Sequence, residues 1–181
     1  MSFNLLKHYP DILEIMHLSP NERDESLKGI YRRDIENNEL FYFKGKRIYP
    51  TKHDGEITLI THFKHLTSEE TEEVDDNGNI VKRRVFDKYR SERLHWIKTH
   101  TDETTGEANS DIEIFSYIGR NLRKRSDVKR TYIYNKKQKY VIVFEPQNSS
   151  SYYLLTAYYL NKDYGVKQIE KQLKKKVNTI L

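Results

Sequence analysis

The sequence predicts an α+β protein. Its C-terminal part joins a histidine-bearing helix, an antiparallel sheet of three or more strands and a terminal basic helix. Three observations carry this. Strand-like runs follow one another between Arg130 and Leu160. An apolar arc recurs at helical spacing over residues 84–100. The last segment sets Val166, Ile169, Leu173 and Val177 at intervals of three and four, with lysines between them. A length of 181 residues suits one domain, or one domain with an appendage. The border is expected near residue 80, with a mainly helical accessory region carrying a hairpin (1–80) before a basic α+β domain (81–181).

Residues 3–17 carry Phe3, Leu5, Leu6, Ile12, Leu13 and Met16, which suggests short helices broken at Pro10. Ser19-Pro20-Asn21-Glu22 is a helix start, with Ser as N-cap, Pro in the first turn and Glu three residues after the cap. That helix is expected to reach about Asn37. Residues 41–49 read as a hairpin turning at Lys44-Gly45. Residues 56–66 fit a strand or a helix, and periodicity does not separate them. Asp75-Asp76-Asn77-Gly78-Asn79 is a strong turn signal. Val85, Phe86, Tyr89, Leu94, Trp96 and Ile97 then cover about half of a helical wheel. Arg93 and His100 fall inside that arc, and His95 opposes it. The strand-like runs are Arg130–Tyr134, Tyr140–Phe144 and Tyr152–Leu160. The middle one is almost wholly apolar, as a strand covered on both faces would be.

Composition excludes several classes. With no Cys there is no disulfide framework, zinc–thiolate site or cysteine nucleophile. No run approaches the apolar length of a membrane span, and the N-terminus does not read as a secretion signal. The expected setting is cytoplasmic, with no membrane partner. The formal net charge is +5, but it is unevenly spread. Residues 116–181 hold 15 bases against 4 acids, a net of +11, and the preceding part holds 17 against 23, a net of −6. A basic part of this kind suggests a polyanion-binding surface. Arg93, Arg123, Lys124, Arg125, Lys162, Lys167 and Lys171 are its expected nucleic-acid contacts.

The available acid–base groups are His, carboxylates, Lys and Tyr. No Walker or Rossmann glycine spacing occurs, and the His62/His65 pair lacks an obvious third metal ligand, so neither a cofactor nor a metal is expected. A histidine near neutral pKa, His95 or His100, could exchange a proton with an RNA hydroxyl. Arg130 could grip a phosphate, and Thr156 and Tyr158 share one strand face on which their hydroxyls could orient it. Arg90 to His95 also fits the Arg-x4-His pattern of helical HEPN ribonucleases, but the strands that follow contradict an all-helical fold.

The order of elements from residue 84, with His95 and His100, Arg130 in Arg-Thr-Tyr, and Thr156 and Tyr158 in Leu-Thr-Ala-Tyr, resembles the barnase–EndoU–colicin–RelE superfamily of small ribonucleases. The resemblance covers about half of the chain. The family's more usual His-Pro is His100-Thr101 here. What it implies is a metal-independent, toxin-like endoribonuclease that cleaves RNA by attack of the 2′-hydroxyl to leave a 2′,3′-cyclic phosphate. A histidine would serve as general acid/base, Arg130 would stabilise phosphate charge, and Thr156 and Tyr158 would position it. RNA is then the expected partner, with an inhibitory antitoxin or immunity protein as a second. The alternatives are a non-catalytic nucleic-acid-binding module and a phage or mobile-element interaction protein.

Overall fold

The computed structural model describes residues 3–52, 55, 57–102, 111–121 and 125–181. The chain enters through a 3-10 turn, Phe3–Leu6. Buried Asn4 there clamps the following segment: its amide donates to Glu14 O at 3.0 Å, and its Oδ1 accepts from Glu14 N at 2.8 Å. Helix α1 (Pro20–Tyr31) begins as the sequence predicts. Ser19 Oγ accepts from Glu22 N at 3.4 Å, and Ser19 N donates to Glu22 Oε2 at 3.0 Å. This closes a capping box. Ser19→Ala should lower unfolding free energy by about 1 kcal/mol, read from urea denaturation. A π-helical turn, Arg32–Glu36, continues α1 to the expected end near Asn37.

Strands β1 (Tyr42–Phe43) and β2 (Lys46–Tyr49) pair around Lys44-Gly45. Both turn residues have positive φ, +49° and +73°, as a tight hairpin requires. Helix α2 (Leu59–Thr67) starts on Thr58, whose Oγ1 accepts from Thr61 N at 3.2 Å. It settles the open reading of residues 56–66. Strands β3 (Ser68–Val74) and β4 (Ile80–Phe86) form a separate two-stranded ribbon, largely exposed. Its tip is Asp75–Asn79, where Asp75 Oδ1 accepts from Asn77 N and Asn79 N at 2.9 and 2.8 Å.

Short helices α3 (Lys88–Ser91) and α4 (Trp96–Thr101) follow. Strands β5 (Ile112–Asn121), β6 (Ser126–Asn135), β7 (Tyr140–Pro146) and β8 (Ser151–Tyr159) then form a meander, and helix α5 (Asp163–Lys174) ends it. The large sheet has six strands in the order β1-β2-β8-β7-β6-β5. Only β2 and β8 are parallel within it, so the sheet is mixed.

Three expectations are corrected here. The region before residue 80 is not mainly helical: β1, β2 and β3 lie within it, and β1 and β2 extend the sheet formed by the C-terminal strands. Nor is that sheet purely antiparallel. The long helix over 84–100 also does not form. Its first residues end β4, Asp87 breaks the chain direction by capping α3, and only two short helices remain. Val85, Phe86, Tyr89 and Leu94 matched a helical arc while belonging to different elements. Residue 80 itself opens β4, paired with Val74 across the ribbon.

The sheet is covered on both faces. On one, Ile133, Ile142, Phe144, Leu154 and Ala157 meet Leu27, Ile30, Phe63 and Trp96 in the larger core. On the other, Phe115, Tyr132, Tyr134, Val141 and Val143 meet Ile169 of α5, with Val166 and Leu173 against them. This double cover explains why β7 is apolar throughout. After α5 the chain passes along the β5 edge: Val177 N donates to Ser116 O, and Leu181 O accepts from the hydroxyls of Thr131 and Tyr152. A β-bulge interrupts the β7–β8 pairing. Val143 faces Thr156 and Phe144 faces Leu154, so Leu155 is the additional residue. Among the described residues no helix is long and apolar enough to cross a membrane.

Candidate nucleic-acid interface

Where α5 stops short of covering β8, the sheet and helix leave a cleft of about 440 Å³. Its floor comes from alternate residues of the strands: Arg130 and Tyr132 on β6, Val143 on β7, and Leu155, Thr156 and Tyr158 on β8. The bulge matters here. It turns Leu155 and Thr156 to the same side, and Ala157 returns to the core face before Tyr158 enters the cleft. One wall is α5, through Gln168 and Gln172, which lie four residues apart and so share a helix face. The opposite wall is α3, through Asp87, Tyr89 and Arg90.

Arg90 is fixed on three sides. Its Nη1 donates to His65 O at 2.7 Å and to Thr156 Oγ1 at 3.4 Å, and Asp87 Oδ2 lies 3.4 Å from its Nε. The guanidinium carbon sits 6.0 Å from the Tyr158 ring centroid, within cation–π range. Burial lowers the Arg90 pKa, partly offset by Asp87. Burial also pushes the Tyr158 phenol up to about 12, so it keeps its proton and can donate to an anion at neutral pH. Tyr132 is likewise shifted upward by burial, with its hydroxyl hydrogen-bonded to Gln172.

Arg130 stands where the cleft opens into two further depressions. With Tyr132 and Gln172 it also lines a hollow of about 530 Å³ that contains Tyr117, Gly119 and Arg120. A third, of about 350 Å³, holds Lys52, Lys129 and Glu145. Arg130 Nη1 donates to Glu145 Oε2 at 2.7 Å, and Lys52 Nζ lies 3.2 Å from Glu145 Oε1. Glu145 therefore aims the guanidinium while a second cation balances its charge.

Arg130, Thr156 and Tyr158 thus line one cleft. The two histidines do not. Both lie on the other side of the sheet, in the larger core. His95 is 3% exposed; its Nε2 donates to Asp11 O at 2.9 Å, and burial lowers its pKa to about 4. His100 is 1% exposed. Its Nδ1 donates to Trp96 O at 2.8 Å, and Nε2 then accepts from Asn135 Nδ2 at 3.0 Å. The rings of Tyr9, Trp96 and Tyr140 surround it. Sealed behind the sheet and committed to these bonds, neither histidine reaches the cleft as a general acid or base. Their assignment as catalytic groups is corrected on this ground.

The expected basic contacts also divide. Arg93 is only 13% exposed in its side chain; its guanidinium stacks 4.1 Å from the Tyr159 centroid and 5.2 Å from that of Trp96, and Nη1 donates to Tyr89 O. It is a packing residue behind the cleft. Lys162 is exposed at the cleft mouth, and Lys167 and Lys171 are exposed on α5. Arg125 is exposed in the β5–β6 turn at φ +49°. Arg123 and Lys124 lie outside the described residues. Sequence reasoning missed Arg90, Tyr132, Tyr117 and Gln172. Strand alternation from Arg130 could have found Tyr132, and the Gln168/Gln172 spacing could have found the helix wall. The one local pattern that contains Arg90, Arg-x4-His, points to a helical fold that the strands contradict, and its place in the expected longer helix hid its role.

Among the described residues no group of three or more His, Cys, Asp and Glu is gathered to hold a metal ion. No known protein family, curated protein or solved structure matches the chain.

Proposed function

We propose that the protein binds single-stranded RNA along this groove, in the cytoplasm. The observation that supports the reading most is the meeting of the Arg90 and Arg130 guanidiniums with the Thr156 and Tyr158 hydroxyls in a cleft walled by tyrosines. Guanidiniums suit phosphate oxygens, protonated hydroxyls add donors, and aromatic faces accept unpaired bases irrespective of sequence. The basic C-terminal part supplies long-range attraction to the backbone. A cleft of about 440 Å³ suits a splayed base and its phosphate rather than a duplex.

Fluorescence anisotropy with a labelled single-stranded RNA and its duplex form tests this. The single strand should bind more tightly, and its affinity should fall steeply between 50 and 200 mM salt, about tenfold or more if several phosphates are held. Binding that ignores salt, or prefers the duplex, would sink the proposal.

Metal-independent cleavage of the bound RNA is a second reading, favoured by the convergence of Arg130, Thr156 and Tyr158. With both histidines in the core, any proton transfer falls to other groove residues, such as the Asp87 carboxylate. Incubating RNA with the protein in EDTA separates the two readings: fragments that vanish in Arg130→Ala support cleavage, and intact bound RNA supports binding alone.

A further inference from the structure

The hollow beside the main cleft carries the reading one step further. We propose that Tyr117 provides a second base-stacking position, so that the ligand is a single-stranded oligonucleotide of at least two nucleotides rather than a free nucleotide. This rests on the RNA-binding reading of the groove.

Three observations converge on Tyr117. First, the β5–β6 register sets Tyr117 directly opposite Arg130, so ring and guanidinium are cross-strand neighbours on the groove face. Second, Gly119 lies two residues along the same face. A Cβ there would come within 2.9 Å of Tyr117 Cε1. The ring therefore lies across bare backbone, which a side chain at residue 119 would prevent. Its base packs against the layer of Phe115 and Tyr132, whose rings stack 4.8 Å apart at 7°. Such a ring is supported from below and only half-buried. Third, Arg130, Tyr132 and Gln172 line both the main cleft and this hollow, so the two are joined at one neck.

The arrangement has the order a nucleic-acid strand requires. A base held among the tyrosines of the main cleft would leave its phosphate at Arg130. The next base would then meet the Tyr117 face in the adjoining hollow. A mononucleotide could fill the cleft but would leave the Tyr117 platform empty. A tyrosine laid on a glycine also protects a strand edge, which accounts for the ring's position. It does not account for Arg130 directly opposite or for the open hollow.

The test compares AMP with a single-stranded RNA tetranucleotide, by calorimetry or by competition against a labelled strand. The wild type should bind the tetranucleotide at least tenfold more tightly than AMP. Tyr117→Ala should erase about tenfold of tetranucleotide affinity, within the range measured for base–aromatic stacking, and leave AMP binding unchanged. Tyr117→Phe should retain the wild-type preference, because the aromatic face is kept. Gly119→Ala should lose part of it by displacing the ring. Equal affinity of the wild type for AMP and tetranucleotide would overturn the second position and leave the RNA-binding reading standing. So would equal losses for both ligands in Tyr117→Ala. Failure of both ligands to bind would overturn both.

Discussion

Acidification from pH 7 to pH 4 should remove about 3 kcal/mol of unfolding free energy through each of His62 and His95. Both are held uncharged by burial, with pKa values near 4 against an ordinary value of 6.5. His62 is fully buried. Its Nε2 donates to Leu154 O at 2.7 Å, and its Nδ1 accepts from Tyr31 OH at 2.8 Å. Desolvation is the largest cause for both, opposed in each case by the bond to a backbone carbonyl. Because the folded pKa lies below the unfolded one, the unfolded chain binds more protons between pH 6.5 and pH 4. Stability therefore falls as pH drops through that window, and the loss levels off below pH 4. His100 is shifted in the same direction. Domains of this size have only about 5–15 kcal/mol to lose, so acid unfolding is expected before the window closes. Urea titrations at pH 7, 6 and 5 measure it, and His95→Gln should flatten the pH slope. A stability that stays level from pH 6.5 to pH 5 would contradict the buried, neutral state of these rings.

The second large effect is on ligand affinity. Arg130→Ala should weaken single-stranded RNA binding by roughly 30-fold, the scale of a lost charge-assisted contact. It should also reduce the slope of log affinity against log salt by about one. The fold should survive, because Glu145 keeps its ion pair with Lys52. Arg130→Lys should fall between, since the charge remains while the planar fork that can span two phosphate oxygens is lost. Thermal melting separates folding from binding. If Arg130→Ala binds within twofold of wild type, the phosphate contact lies elsewhere.

Much of the local structure was legible because it rests on short-range chemistry. The capping box at Ser19, the Lys44-Gly45 turn and the Asp75–Asn79 turn are each written in a few adjacent residues. So are three of the meander's four strands, β6, β7 and β8, whose strand-like runs follow one another; β5 carried no such signal. The shared face of Thr156 and Tyr158 followed from alternation along β8, but that Arg130 lines the same cleft depends on how β6, β7 and β8 pair. What escaped the sequence is long-range. Nothing near Arg47 or Ile48 announces that β2 will lie parallel to β8, about a hundred residues away. The histidines were misread for a related reason. A helical wheel tells which residues share a face, but not which side of a sheet that face will meet. His100 sits among aromatic rings because α4 packs on the N-terminal side of the sheet, a choice made by Trp96 and Tyr140 together.

The bulge in β8 has a consequence for how this chain can tolerate change. Side chains along a strand have parity, and Leu155 inverts it once. With that residue in place, Ala157 faces the core and Tyr158 the groove. A single insertion or deletion elsewhere between Leu155 and Tyr159 would exchange the two, driving a phenol into space shaped for a methyl group and stripping the cleft of its donor. Two-residue changes would keep the parity. The number of residues in this short stretch is thus constrained more tightly than their identities, and an arithmetic of odd and even links the packing of one face to the chemistry of the other.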